Sequence, residues 1–145
     1  KEKLSGLFAH RVMNRKVPLV RGFDDYFLAP LSRHTAVSHA DIHACKALTV
    51  LAESEQAGVY LCMTEGGRQI FVMGHPEYDR VTLHQEYMRD KDKGLEIALP
   101  EHYYTDDDCT LRPNLQWRAH CNMLYSNWLN YYVYQATPYD LDKIG

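Results

Sequence analysis

Apolar and polar residues alternate along some stretches of this chain and recur at helical spacing along others, and the two patterns divide it into elements. Leu4 to Met13 suggests a strand. Residues 18–34 break the pattern with Pro18, Gly22, the acidic pair Asp24–Asp25 and Pro30, which predicts a long irregular loop. That loop carries Phe23, Tyr26, Phe27 and Leu28, and loops rich in aromatics are often functional because plain connectors are shorter and more polar. Residues 47–53 read as a short strand. Val59–Met63 and Gln69–Met73 flank Glu65–Gly66–Gly67–Arg68, the pattern of a β-hairpin with a glycine turn over 58–73. Asp79 is placed to cap a helix running to Lys93, with Gly94 as its stop. Leu83, Tyr87 and Met88 would share one side of it, leaving Glu86, Asp90 and Lys91 to water. Residues 95–113 are acidic and turn-rich and predict a surface excursion. A last helix, capped by Asn114, carries Trp117, Cys121, Leu124, Tyr125, Trp128 and Tyr132 at spacings of three and four. So broad an aromatic face is expected to pack on a sheet.

Composition narrows the function classes. The chain has 145 residues, 46% hydrophobic and 24% charged, which fits one globular domain. A formal charge of −3 and a pI near 6.2 provide no basic stripe for nucleic acid and no polybasic membrane patch. No apolar run approaches the ~20 residues a spanning helix needs. Neither nucleic acid nor membrane is an expected partner. No secretion leader is visible, so the protein is expected in the cytoplasm, with Cys45, Cys62, Cys109 and Cys121 as reduced thiols. None of the four sits in a local sequence that suggests a nucleophile.

The densest chemistry is Gly74–His75–Pro76–Glu77–Tyr78–Asp79, directly after the hairpin. A strand delivers a His, Pro76 forces an extended turn, and the i, i+2 spacing lets the Glu carboxylate reach one imidazole nitrogen. Such a bond fixes the tautomer and raises the basicity of the other nitrogen. His39 and His43 stand at i, i+4, as a metal pair on a helix would, but the sequence offers neither a convincing helix nor a third ligand. Asp106–Asp107–Asp108 lacks calcium-loop spacing. No metal site is expected.

His-x-Glu after a strand resembles the acid/base end of the Cys–His–Glu triad in class I glutamine-amidotransferase-like folds. Arg21–Gly22–Phe23–Asp24–Asp25, Phe27–Leu28–Ala29–Pro30 and Ser32–Arg33 resemble the RGFDDxFxAPxSR stretch of the homoserine O-acyltransferases, also called homoserine O-succinyltransferases. Val72 to Asp79 is similar to that family's catalytic segment. Trp117–Arg118–Ala119–His120, Asn127 to Gln135 and Thr137 to Leu141 are similar to its C-terminal helix and tail. The likeness runs from Lys3–Leu4–Ser5–Gly6 to the end of the chain.

The resemblance implies an α/β fold: residues 1–145 as the C-terminal half of a flavodoxin-like, three-layer sandwich of the class I glutamine-amidotransferase-like type. It implies transfer of an acyl group from succinyl-CoA or acetyl-CoA to the γ-hydroxyl of L-homoserine, in methionine biosynthesis, through a Cys acyl-enzyme. His75 is then the general base and Glu77 its orienting partner. Arg89 is the expected anchor for the homoserine carboxylate, and Ser32 and Lys3 match substrate-binding positions. No cofactor is implied beyond acyl-CoA as co-substrate, and a homodimer is the expected assembly. The family's nucleophilic Cys belongs to an N-terminal half, so these residues alone are expected to be inactive, with an unpaired sheet edge and exposed apolar surface. A homoserine- or partner-binding remnant of the family, and a true glutaminase, remain as other readings.

Overall fold

The computed structural model describes residues 3–138 and 140–143; Tyr139 of the tail motif lies outside the described residues. Five strands form one sheet: β1 (Leu4–Val12), β2 (Tyr26–Arg33), β3 (Leu48–Ser54), β4 (Gly58–Thr64) and β5 (Ile70–Val72), in the order β2-β1-β3-β4-β5. Three α-helices accompany it among the described residues: α1 (His39–Ala44), α2 (Thr82–Asp92) and α3 (Arg118–Trp128), the last continuing into a π-helical turn, Leu129–Val133. The mixed α/β composition matches expectation. Every pairing between these five strands is antiparallel, however, whereas a flavodoxin-like sheet is largely parallel.

The expected loop over 18–34 contains β2. Phe27, Ala29 and Leu31 lie at alternate positions within 5% exposure, as along a strand, and Pro30 between them is buried as well. Pro30 obscures that pattern, yet β2 is an edge strand, where a missing N–H costs no ladder bond. β1 pairs with β2 along eight residues but meets β3 only at Arg11↔Glu53 and Val12↔Ala52. Along its first half its second neighbour is Glu101: Leu7 donates to Glu101 O at 2.8 Å and Glu101 donates to Ser5 O at 2.9 Å. That approach requires Gly6, whose φ is +152° and where a Cβ would strike the Glu101 backbone.

Residues 95–113 are therefore more than a surface excursion. Asp106–Asp108 stay outside, but Tyr103 and Tyr104 are buried with Leu7, Leu83 and Trp117, where each apolar side chain contributes about 1.5–3 kcal/mol. The larger core gathers Phe23, Phe27, Leu51, Tyr60, Leu61 and Leu124. His10 is fully buried there, 4.6 Å from Tyr60 and stacked 5.5 Å from Phe27. Burial pushes its pKa down to about 4, so it is neutral at pH 7.

Packing also overrides the expected caps. α3 starts at Arg118 rather than after Asn114, because Trp117 is drawn into the core and its indole N–H donates to Tyr78 O at 2.9 Å. α2 starts at Thr82, whose hydroxyl accepts from the Asp79 N–H at 3.1 Å; the Asp79 carboxylate pairs with Arg118 instead. The aromatic face of α3 exceeds what this sheet covers. Leu124 is buried, while Tyr125 and Trp128 are 40% and 41% exposed beside the exposed Val72 of edge strand β5. Among the described residues no helix is long and apolar enough to cross a membrane, and all four cysteines are free thiols.

Candidate active site

The sheet curls until the chain leaving β5 reaches back to β2. Met73 donates to Tyr60 O at 2.7 Å, and two residues later His75 donates to Pro30 O at 2.9 Å. Gly74 makes this possible: a Cβ there would lie 2.7 Å from the Tyr60 ring and 2.9 Å from Pro30 O. The backbone of His75 is thus held by the opposite edge of the sheet, and its ring stacks on Tyr78 at 4.3 Å with 13° between planes.

His75 Nδ1 lies 2.9 Å from Glu77 Oε1. With the proton on Nδ1 donated to the carboxylate, Nε2 keeps its lone pair and can accept a proton from a reacting group. The pair is half-open to solvent, with His75 37% and Glu77 53% exposed.

Tyr78 links this pair to a second cluster. Its hydroxyl donates to Glu86 Oε1 at 2.7 Å, and the Ser32 hydroxyl donates to Glu86 Oε2. Lys3 Nζ lies 3.6 Å from Glu86 Oε2 and donates to Asp90 Oδ2 at 2.9 Å. Arg89 Nε donates to Asp90 Oδ1 at 2.9 Å, leaving its Nη1 without a partner among the described residues. The structure therefore gathers Lys3, Ser32 and Arg89, expected as substrate contacts, around two acids assigned by their pattern to the solvent face. Asp90 is buried and Glu86 is largely so. Leu83, Glu86 and Asp90 fall at i, i+3, i+7, so the period alone could have placed them on the inward side.

The electrostatics follow from the partners. Hydrogen bonds from Lys3 and Arg89 hold the Asp90 carboxyl down at about 2. Burial would raise the Glu86 carboxyl, but Ser32, Tyr78 and Lys3 outweigh it and keep it below its usual value. Both acids are ionised at neutral pH, one turn apart, and Lys3 between them removes the repulsion. Burial raises the Cys62 thiol, and burial with the Glu77 charge raises Cys121, so neither is a ready thiolate. His84 is occupied by the Tyr104 hydroxyl at 2.9 Å.

A homoserine O-succinyltransferase profile matches residues 1–139. The chain belongs to the homoserine O-succinyltransferase family. Among curated relatives, a homoserine O-acetyltransferase of Lachnospira eligens is 63% identical over 142 residues, 98% of this chain and 46% of that protein. One of Lachnoclostridium phytofermentans is 64% identical over 140 residues, 97% of this chain and 46% of that protein. One of Acetivibrio thermocellus is 54% identical over 144 residues, 99% of this chain and 47% of that protein. The chain thus spans about half the length of the curated relatives it matches, and the full-length proteins of this family are enzymes.

Proposed function

We propose that the full-length protein transfers an acyl group from an acyl-CoA to the γ-hydroxyl of L-homoserine, with His75 as general base and Glu77 as its orienting residue. The observation that carries this reading is the 2.9 Å contact between His75 Nδ1 and Glu77 Oε1 on a turn whose backbone is fixed by Pro30. A Cys thiol outside this chain attacks the thioester carbonyl, CoA leaves as its thiol, and an acyl-enzyme thioester remains. The homoserine γ-hydroxyl then attacks that carbonyl while Nε2 of His75 takes its proton. The tetrahedral intermediate collapses to the ester and returns the Cys. The Nη1 edge of Arg89 supplies the charged donor that suits an amino-acid carboxylate, and Lys3 and Ser32, joined to it through Asp90 and Glu86, complete the binding cluster.

The names of the curated relatives favour acetyl-CoA as donor, and the family name keeps succinyl-CoA as the comparison. In the full-length enzyme the present sheet would join a flavodoxin-like, three-layer body of the class I glutamine-amidotransferase type, in a cytoplasmic homodimer. The test is acyl transfer by the full-length protein with each donor. His75→Ala should lower turnover by about 10²–10⁴-fold with an unchanged circular dichroism spectrum. Undiminished transfer by that variant overturns the assignment.

A further inference from the structure

Between β2 and β3 lies a cluster separate from the His75–Glu77 pair. α1 places His39 and His43 one turn apart, with ring centroids 4.2 Å from each other. Both Nε2 atoms converge on a single oxygen of Glu53, from β3, at 3.0 Å and 2.7 Å. The helix and the third ligand that the sequence did not offer are both present. The Ser38 hydroxyl caps that helix by accepting from the Asp41 N–H at 3.4 Å. The three donor atoms all lie within 4.8 Å of one another.

Three atoms from two elements converge on one point, and each can offer a lone pair to a cation: two imidazole nitrogens and one carboxylate oxygen. Tetrahedral zinc, with bonds of about 2.0–2.2 Å to nitrogen and oxygen, sets ligand atoms roughly 3.3–3.5 Å apart. The two separations to the Glu53 oxygen, 3.0 Å and 2.7 Å, need widen only by tenths of an ångström, the two nitrogens already lie within 4.8 Å of each other, and exposed rings on a short helix can make the adjustment. Glu53 stands opposite Arg11 in the β1–β3 register, and its carboxylate is nevertheless turned to the imidazoles. His39 and Glu53 also line an open cavity of about 760 Å³ with Arg11, Tyr26 and Ser54, which gives water access to a fourth position.

We propose that His39, His43 and Glu53 bind one divalent transition-metal ion of the zinc class, with two Nε2 atoms and a carboxylate oxygen as ligands and water as the fourth. The ion joins α1 to β3. The site is independent of the acyltransferase reading.

The test uses full-length protein stripped with a chelator and titrated with Co²⁺ and then Zn²⁺. One equivalent of Co²⁺ per chain should be taken up with visible tetrahedral bands and no thiolate charge-transfer band; Zn²⁺ should displace it and raise the melting temperature. His43→Ala and Glu53→Gln should each weaken uptake at least about tenfold, and His75→Ala should leave it intact. His39→Asn, on the more exposed ring, provides the same reading if either variant fails to fold, as circular dichroism reports. Absence of stoichiometric uptake, uptake unchanged in the ligand variants, or a thiolate charge-transfer band overturns the proposal.

Discussion

The His75–Glu77 pair and the Lys3–Ser32–Glu86–Asp90 cluster are neighbours, joined through Tyr78, and they are constructed differently. The pair is open, 37% and 53% exposed, and a single side-chain contact joins its members. In the cluster Lys3, Glu86 and Asp90 are 10%, 18% and 8% exposed, and each acid is bound by at least two partners. The pair takes its position from the backbone, through the Pro30 bond, and leaves its side chains free to exchange a proton. The cluster spends its side chains on one another and so fixes the charge beside the pair. Substitutions in the first should cost turnover with little loss of stability, and substitutions in the second should cost binding and stability.

The largest expected effect after His75 itself is at Glu77. Glu77→Ala in the full-length protein should lower turnover by about 10²-fold or more, because the imidazole loses the acceptor that sets its tautomer. Its melting temperature should stay at the parent value; a marked drop would make Glu77 a structural residue. Arg89→Ala should raise the KM for homoserine roughly 10–100-fold, the equivalent of about 1.5–3 kcal/mol for hydrogen bonds to a charged group. Its kcat should change far less, and a loss confined to kcat would remove Arg89 from the binding role.

Glu86→Gln tests the other half of the comparison. It leaves Lys3 and Ser32 facing an amide, and the expected destabilisation is about 1–3 kcal/mol, seen as a lower denaturant midpoint. The smallest effect concerns acid. The folded Asp90 carboxyl, at about 2, lies below the ~3.9 of an unfolded Asp. Its stabilisation is therefore complete above the unfolded value and is lost as pH falls toward the folded one. Asp90→Asn should flatten stability against pH between about 4 and 2 while lowering it at neutral pH. An unchanged acid limb would dissociate Asp90 from Lys3 and Arg89.

Much of this was legible in the sequence, for identifiable reasons. The β4–β5 hairpin announced itself because Gly66 and Gly67, at φ +73° and +70°, occupy positions that a side chain would strain. His75 and Glu77 were legible because their partner lies two residues away. Glu86 and Asp90 were not, because an acid on a helix looks solvated until its cation is known, and Lys3 arrives from the far end of the chain. β2 was hidden by Pro30, whose acceptability depends on an edge position that only the sheet order reveals. His39 and His43 read as an incomplete pair for the same reason: their third partner comes from a different element.

The curl of the sheet has a kinetic consequence. The contacts that assemble the candidate site are closures between distant parts of the chain: Lys3 with Asp90, 87 residues apart, His75 with Pro30, and Glu101 with the start of β1. Each closes a long loop, and long loops close slowly and late relative to local turns such as the hairpin. The site is therefore among the last features to form during folding, after the β3–β4–β5 meander. Amide exchange at His75 and at Leu7 during refolding reports that step directly, since both N–H groups are held by these distant carbonyls.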